Sequence, residues 1–327
     1  VQVDANVDVV DEPTMLDRAR TAHRVPFDLD HGPLLRCWIQ PVADGSTSVL
    51  VSFHHVAGDA ASFDRIWGQL DHVLAGGELD EITFDYSDVA TWLRSLPTEA
   101  ARDDWLSVGD GAPAGRLAIQ RPAAPGPDGF LLRVASFTPA ELRSGAGSTG
   151  FATVLAALAA TLRAFSTSDR VGLGIIASNR NHAAADDLVG YFLNTLPVEL
   201  ECPSGATMRD LSTAAGPVVG LALAHRTYPF AQILADRRAA DRPEPATDVL
   251  LAFDELPRST MAGHDVQHQV LFNGDAVADA TFFVEVREDR VDLSMEFRGS
   301  VMTEADAQRL LADFDATLRA AIFTPDV

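Results

Sequence analysis

Apolar and polar positions alternate in two early segments of the chain. Residues 35–42 and 48–54 are strand-like, and the turn signal Ala43-Asp44-Gly45 separates them. Because successive side chains of a strand point to opposite faces, this pattern predicts a β-hairpin. The second strand runs into His54 and His55, and Ser62 is expected to cap the helix that follows. The two histidines are therefore predicted to lie in a turn between a strand and a helix.

The rest of the chain mixes helical and strand patterns without strict alternation. The spacing of apolar residues predicts strands near residues 130–137, 171–177, 192–200, 249–253, 281–287 and 291–297, and helices near 62–73, 86–96, 151–165, 208–225 and 303–322, with another beginning at 138. A segment rich in Pro, Gly and Ala, residues 109–129, is the best candidate for a linker. We therefore expect an α/β protein with an N-terminal lobe, residues 1–108, and a C-terminal lobe, residues 130–327.

Composition narrows the partners and the compartment. The 327 residues are 47% apolar, which is enough for a sizeable core, and the net charge of -22 argues against nucleic acid and anionic membranes as partners. Cys37 and Cys202 form no CxxC pair, which argues against a disulfide scaffold and fits a reducing compartment. With no signal peptide or membrane-spanning run, we expect a cytoplasmic protein. The first residue is not Met, so the chain is expected to be a piece of a longer protein.

The segment from His54 to Asp59 carries the strongest candidate chemistry. Adjacent strand residues face opposite ways, so one histidine is expected to face a cavity while the other packs. Gly58 is expected to permit a tight turn, so that Asp59 folds back and orients the turn or pairs with an arginine. An imidazole is well suited to moving a proton near neutral pH. The competing interpretation is chance spacing, since the chain contains nine histidines.

Other common sites fit the sequence poorly. Outside the adjacent pair the histidines are scattered, and His264 and His268 lie four apart in a predicted loop, so no zinc site is predicted. Residues 145–150 match GxGxxG, but a helix is predicted before them where a dinucleotide site needs a strand. There is no GxSxG or GxxxxGK[ST] motif. Serine-hydrolase, P-loop and dinucleotide functions are therefore not predicted.

Several motifs together resemble one known family. His54-His55-Val56-Ala57-Gly58-Asp59-Ala60 resembles the HHxxxDG signature of condensation domains of nonribosomal peptide synthetases, whose superfamily includes epimerisation domains and chloramphenicol-acetyltransferase-like enzymes. Three further motifs follow the family's order: FDLxxGPLLR at 27–36, "NR…GxFxNTLP" at 179–197, and HxxxPF at 225–230. The likeness covers nearly the whole chain.

The resemblance implies a fold and a set of site residues. Two chloramphenicol-acetyltransferase-like lobes would form a V around a central tunnel, with a crossing loop at about 177–197 and a latch at about 253–273. His55 would be catalytic, supported by His54, Gly58 and Asp59. The residues expected at the tunnel or on the crossing loop are Ser62, Arg180, Tyr191 and Asn194.

The same resemblance implies the reaction and its partners. Donor and acceptor peptidyl carrier proteins would dock at opposite ends of the tunnel, and their phosphopantetheine arms would meet at His55, beside neighbouring synthetase domains. The domain itself would bind no cofactor or metal. The expected product is an amide bond; the alternatives are epimerisation, a non-catalytic recruitment platform and a coenzyme-A-dependent acyltransferase.

Three departures from the family's pattern bear on these expectations, one of them around Asp241-Arg242-Pro243, where the family has RDxSRNP. Ala60 replaces the final Gly of the signature, which would strain the turn if that position needs a positive φ. The family also carries several dozen residues before the FDLxxGPLLR segment, so the first lobe is expected to be incomplete. The identities of donor, acceptor and product do not follow from the sequence.

Overall fold

The computed structural model describes residues 10–96, 99–109, 114, 117–145, 148–166, 168–180, 183–255, 260–261, 263–266 and 270–326. Its helices are α1 Glu12–His23, α2 Ala60–Leu74, α3 Tyr86–Ser95, α4 Glu99–Ser107, α5 Pro139–Ser144, α6 Gly150–Arg163, α7 Ala183–Asp186, α8 Met208–Ala224, α9 Phe230–Ala239 and α10 Glu304–Phe323. Its strands are β1 Leu35–Pro41, β2 Thr47–Phe53, β3 Gly129–Val134, β4 Arg170–Ser178, β5 Leu193–Glu201, β6 Val249–Glu255, β7 Thr260–Met261, β8 His264–Asp265, β9 Ala280–Val286 and β10 Val291–Phe297.

The N-terminal part is built on the predicted hairpin. β1 and β2 pair antiparallel with Trp38 opposite Leu50, and Gly45 in the turn has φ +90°. Asp44 stabilises this turn by accepting a hydrogen bond of 2.8 Å from the Ser46 N–H. The hairpin prediction is confirmed, and it brings the end of β2 to the start of the histidine segment.

A six-stranded sheet organises the rest of the chain, in the order β3-β10-β9-β6-β4-β5. The β4–β6 and β6–β9 pairs are parallel and the other pairs are antiparallel, so the architecture is mixed α/β as predicted. One face of the sheet forms the main core with α6, α8 and α10. The residues of α10 that the sequence placed inward are all buried in it: Leu310, Leu311, Phe314 and Leu318.

α4 belongs with the sheet part of the molecule. Trp105 on α4 is buried in the main core, and the Arg237 guanidinium on α9 donates to the Trp105 and Leu106 carbonyls at 3.3 and 3.1 Å. His225 is also paired with Asp104 at 2.6 Å. These contacts join α4 to the sheet part of the molecule, and the boundary at residue 108 remains a prediction.

The described part of the expected linker is packed against the core. Ala118 N–H bonds to the Phe165 carbonyl at 2.8 Å, and Gly126 N–H bonds to the Gly299 carbonyl at 2.9 Å. Residues 110–113 and 115–116 lie outside the described residues. Backbone hydrogen bonds therefore attach the described residues of this segment to the sheet part of the molecule, and the linker remains a prediction.

Four helices, α1, α4, α7 and α9, were missed from the sequence. α1 buries only Ala19 and α9 buries only Ile233 and Arg237, so neither carries a clear apolar stripe. The GxGxxG segment follows α5, and Thr149 caps α6 through the Ala152 N–H at 3.2 Å. The prediction that a helix rather than a strand precedes these glycines is confirmed.

Among the described residues, no helix has the length and apolarity needed to cross a membrane. Cys37 and Cys202 are both free thiols.

Candidate functional site

β2 ends at Phe53, one residue before the histidine pair. His54 caps a 3₁₀ turn, His55–Ala57, because its Nδ1 accepts a hydrogen bond of 3.1 Å from the Val56 N–H. Its ring meets the Phe27 ring edge-on, with centroids 6.1 Å apart. His54 therefore caps the turn that begins at His55.

His55 is held in one tautomer by its own turn. Its Nδ1 lies 2.8 Å from the Gly58 carbonyl oxygen. A carbonyl only accepts hydrogen bonds, so Nδ1 carries the proton and Nε2 of the neutral ring keeps its lone pair. Within the described residues Nε2 has no hydrogen-bond partner, which leaves it available to accept a proton.

Tyr191 packs against the catalytic candidate. Its ring meets the His55 ring edge-on, with centroids 5.1 Å apart and planes at 80°. Burial first, and then the charge of Asp59, raise the pKa of the Tyr191 phenol. The phenol is therefore neutral at physiological pH and keeps a hydroxyl proton to donate.

Asp59 is the N-cap residue of α2, and it is buried. Its Oδ1 accepts hydrogen bonds of 2.9 Å from both the Ser62 N–H and the Ser62 hydroxyl, and its Oδ2 accepts one of 3.0 Å from the Phe192 N–H. In return the Ser62 hydroxyl oxygen accepts from the Asp59 N–H at 3.2 Å, which completes a capping box. The prediction that Ser62 caps the helix is wrong: Asp59 is the cap, because its carboxylate accepts from the third residue of the helix.

Arg180 pairs with Asp59 across the two parts of the molecule. Its Nη2 lies 2.9 Å from Asp59 Oδ1, with the two side chains 7% and 0% exposed. Its Nη1 donates to the Ala185 and Leu188 carbonyls at 2.5 and 2.7 Å. The guanidinium also lies over the Phe192 ring, 4.3 Å from its centroid. This buried pair ties the histidine turn to the segment between β4 and β5.

A second contact between the parts passes through Ser62 and Gly190. Gly190 N–H donates to the Ser62 hydroxyl oxygen at 3.1 Å. A Cβ on Gly190 would come within 2.3 Å of the Tyr86 ring, so only glycine fits there. The Tyr86 hydroxyl in turn donates to the Tyr191 carbonyl at 2.8 Å. Tyr86 was missed from the sequence, where a single tyrosine at a helix start gives no signal.

Gly58 and Ala60 play different parts from those expected. The φ of Gly58 is -175°, which any residue adopts, so its freedom of conformation is not the reason for glycine. A Cβ there would lie 2.9 Å from the Phe53 ring and 3.1 Å from the Ser62 Cβ. Ala60 is the first residue of α2 and has no positive φ. The expected strain at Ala60 is therefore absent.

Asn194 lies in the sheet rather than in a loop. It belongs to β5, and its Nδ2 donates to the Arg226 and Tyr228 carbonyls at 2.8 and 2.7 Å. Its Oδ1 accepts from the Phe230 N–H at 3.0 Å, so it anchors the HxxxPF segment. The crossing segment is correspondingly shorter than 177–197, because β4 runs to Ser178 and β5 begins at Leu193.

The expected latch is only partly described. Residues 253–255 belong to β6, and residues 256–259, 262 and 267–269 lie outside the described residues, His268 among them. Phe272 stacks on Phe130 with ring centroids 6.2 Å apart. In the part of the chain that the structure describes, no group of three or more His, Cys, Asp or Glu side chains is placed to hold a metal ion.

Comparison with known proteins gives a consistent family signal. A family model described as Condensation domain matches residues 5–327. Surfactin synthase subunit 1 of Bacillus subtilis is 24% identical over 99% of this chain, and phosphinothricin tripeptide synthetase PhsC of Streptomyces viridochromogenes is 30% identical over 65% of it. The alignments span 10% and 21% of those two proteins.

Solved structures share the fold. The condensation domain of the monacolin K polyketide synthase MokA superposes with a TM-score of 0.84 at 16% identity, over 98% of this chain and 79% of that one. The first condensation domain of the calcium-dependent antibiotic synthetase, in complex with a substrate analogue, gives 0.80 at 17% identity, over 99% and 77%. The epimerisation domain of the third module of tyrocidine synthetase B gives 0.79 at 16%, over 96% and 77%. The fold alone therefore does not separate condensation from epimerisation.

Proposed function

Because this chain belongs to the condensation-domain family of nonribosomal peptide synthetases, we propose that it forms an amide bond by transferring a carrier-bound acyl or peptidyl group to an amine. The family that the motifs predicted is confirmed. The observation that carries the proposed mechanism is the hydrogen bond between His55 Nδ1 and the Gly58 carbonyl, which leaves Nε2 as a proton acceptor.

The proposed reaction uses His55 as the base. The amine nitrogen attacks the thioester carbonyl carbon, and His55 Nε2 takes the proton that the nitrogen loses. The carbon–sulfur bond breaks as the amide forms, and the proton ends on the departing thiol. The Gly58 carbonyl stabilises the imidazolium that forms in between, because its bond to Nδ1 becomes stronger when the ring is charged.

The supporting residues hold His55 in place. Asp59 is fully occupied by the Ser62, Arg180 and Phe192 donors, so we propose that it positions the turn and does not touch the substrate. Tyr191 packs on the His55 ring and supplies a neutral phenol beside it. Asn194 acts at a distance by anchoring the HxxxPF segment.

The partners follow from the same proposal. The acyl donor and the aminoacyl acceptor would be delivered on the phosphopantetheine arms of a donor and an acceptor peptidyl carrier protein, through a tunnel between two lobes. The curated relatives are far longer than the part that aligns with this chain, which supports neighbouring synthetase domains as further partners. We also place the reaction in the cytoplasm, where free thiols such as Cys37 and Cys202 are stable.

Intact-protein mass spectrometry of both carrier proteins tests the reaction. Transfer of the donor acyl group to the acceptor carrier supports condensation. An unchanged mass with exchange of the donor α-proton would instead show epimerisation, and binding without either would show a recruitment platform. Transfer from acyl-coenzyme A as fast as from a loaded carrier would contradict the carrier-dependent reaction.

Substitution of His55 tests the mechanism. His55→Ala should lower the transfer rate by about 10² to 10⁴-fold, the usual contribution of a general base, while carrier binding is retained. His31→Ala is the matched control, because that side chain is 83% exposed and bonds only to Asp28 among the described residues. Equal rates for the two variants would overturn the role of His55.

A further inference from the structure

The six-stranded sheet has a second face, opposite the one covered by α6, α8 and α10. Along β10 the residues Val291, Leu293 and Met295 enter the main core, so the alternate residues Asp292, Ser294 and Glu296 lie on the second face. The strand register places Thr281 of β9 on one side of Glu296 and Phe130 of β3 on the other. Side chains that are directly opposite have Cβ atoms about 4.5–5.5 Å apart.

The segment from Leu271 to Gly274 connects this face to the N-terminal part of the molecule. Phe272 stacks on Phe130 of the second face. His23, at the end of α1, lies close to the Leu271 backbone, and a Cβ on Gly274 would lie 3.9 Å from the Arg24 guanidinium. The second face is therefore joined to the part of the chain that carries the histidine turn.

Glu296 is a carboxylate without a cation on this face. Two acidic side chains farther along the paired strands share one arginine: Arg287 Nε lies 2.6 Å from Asp292, and its Nη2 lies 2.9 Å from Glu285. No hydrogen bond or ion pair to Glu296 is formed within the described residues, although its side chain is partly buried. Burial alone raises the pKa of its carboxyl to about 7.

The surroundings of Glu296 suit an ammonium group. Phe130 is partly exposed beside it and is stacked on Phe272, and aromatic rings attract cations through their faces. On the other side the Thr281 hydroxyl is buried and has no hydrogen-bond partner among the described residues. The strand register places this residue directly opposite Glu296, and the two side chains are not hydrogen-bonded to each other in the structure.

We propose that Glu296 and Phe130 form a subsite for a cationic side chain, such as that of ornithine or lysine, on the acyl or aminoacyl group brought to this domain. The inference rests on the proposed function. The ammonium would compensate the buried carboxylate, and the phenylalanine ring would cover its methylene groups. A neutral side chain of equal length would leave Glu296 with its burial cost and no partner.

Competition between ornithyl and norleucyl groups tests the subsite, because their side chains have the same length and differ in the terminal ammonium. Each is loaded once on the donor carrier opposite a glycyl acceptor, and once on the acceptor carrier opposite a glycyl donor. We expect the wild type to favour ornithyl about tenfold or more in one of the two arrangements, and that arrangement identifies the position. Glu296→Gln should bring the ratio near one, because the ammonium group loses its counter-charge and the ornithyl rate falls.

Controls separate the subsite from folding and from the proposed function. Glu288→Gln removes the same charge from an exposed position and should keep the preference. An ornithyl preference that survives Glu296→Gln, or that is absent in both arrangements, overturns the inference. If no pair of carriers gives product, the proposed function fails, and titration with amide-linked ornithyl- and norleucyl-pantetheine decides the subsite by itself. Equal affinities would then refute it.

Discussion

Replacing Asp59 by Asn tests whether the buried ion pair joins the two parts of the molecule. Asp59 Oδ1 accepts from the Ser62 N–H, the Ser62 hydroxyl and Arg180, and Oδ2 accepts from the Phe192 N–H. An asparagine has one oxygen and one NH₂ group, so either orientation turns a donor toward at least one N–H. The charge of Arg180 would remain buried against neutral carbonyls.

The expected loss is large because both partners are buried. Removing one member of such a pair costs about 3–5 kcal/mol, and in a large domain each kcal/mol lowers the melting temperature by about 2 °C, so Asp59→Asn should melt roughly 6–10 °C lower. The condensation rate should also fall, because Asp59 directly follows Gly58, whose carbonyl orients His55. Differential scanning fluorimetry and the mass-spectrometric transfer assay measure the two effects.

A surface pair provides the matched control. Arg65 and Asp187 lie 3.7 Å apart with side chains 43% and 89% exposed, so Asp187→Asn should cost less than about 1 kcal/mol. Arg180→Met and the Asp59→Asn/Arg180→Met double variant complete a thermodynamic cycle, in which the double variant should lose less than the sum of the single losses. If Asp59→Asn melts within 1 °C of Asp187→Asn, the pair does not stabilise the junction.

Three further substitutions test other parts of the site. Asn194→Asp turns a carboxylate oxygen toward two main-chain carbonyls, so urea denaturation should show a loss of about 3 kcal/mol or more, and an unchanged midpoint would contradict this anchoring. Ala60→Gly should lose about 0.5–1 kcal/mol with no gain in transfer rate; a severalfold faster variant would mean that Ala60 does strain the turn. Burial first, and then the charge of Glu285, raise the pKa of Asp254 from 3.8 to about 6. Because this folded-state pKa lies above the unfolded value, ionisation costs stability as the pH rises through about 6, and Asp254→Asn should be more stable than the wild type by roughly 1–3 kcal/mol at pH 8. That gain should disappear at pH 4, and a gain independent of pH would exclude this origin.

Local patterns predicted the elements that lie next to the site. The hairpin follows from alternating apolar and polar residues on either side of a glycine turn. The helix α2 follows from apolar residues at helical spacing. His55, Asp59 and Arg180, which the family motifs named, lie within or next to the buried junction. Their individual roles in catalysis remain predictions.

Details that depend on which side chains the fold brings into contact were predicted less well. Ser62 has a residue type suited to capping, but whether it or Asp59 caps the helix depends on which side chain reaches the free N–H groups. At Gly58 a Cβ would collide with the Phe53 ring. At Gly190 a Cβ would collide with the ring of Tyr86, about a hundred residues earlier in the sequence. Such contacts leave no periodic signal along the chain.

The sequence by itself determined the family, the α/β class, the histidine turn and the inward face of the last helix, because these are written in local spacing and in motif order. Only the tertiary structure decided the tautomer of His55, the pairing of Asp59 with Arg180, the place of Asn194 in a strand, and the uncompensated carboxylate of Glu296. The physical reason is that hydrogen-bond partners, desolvation and cross-strand neighbours are set by distances between residues that are far apart in the chain. Local patterns therefore identified the residues of this site, and the contacts made in the fold determined the hydrogen bonds and ion pairs that each residue forms.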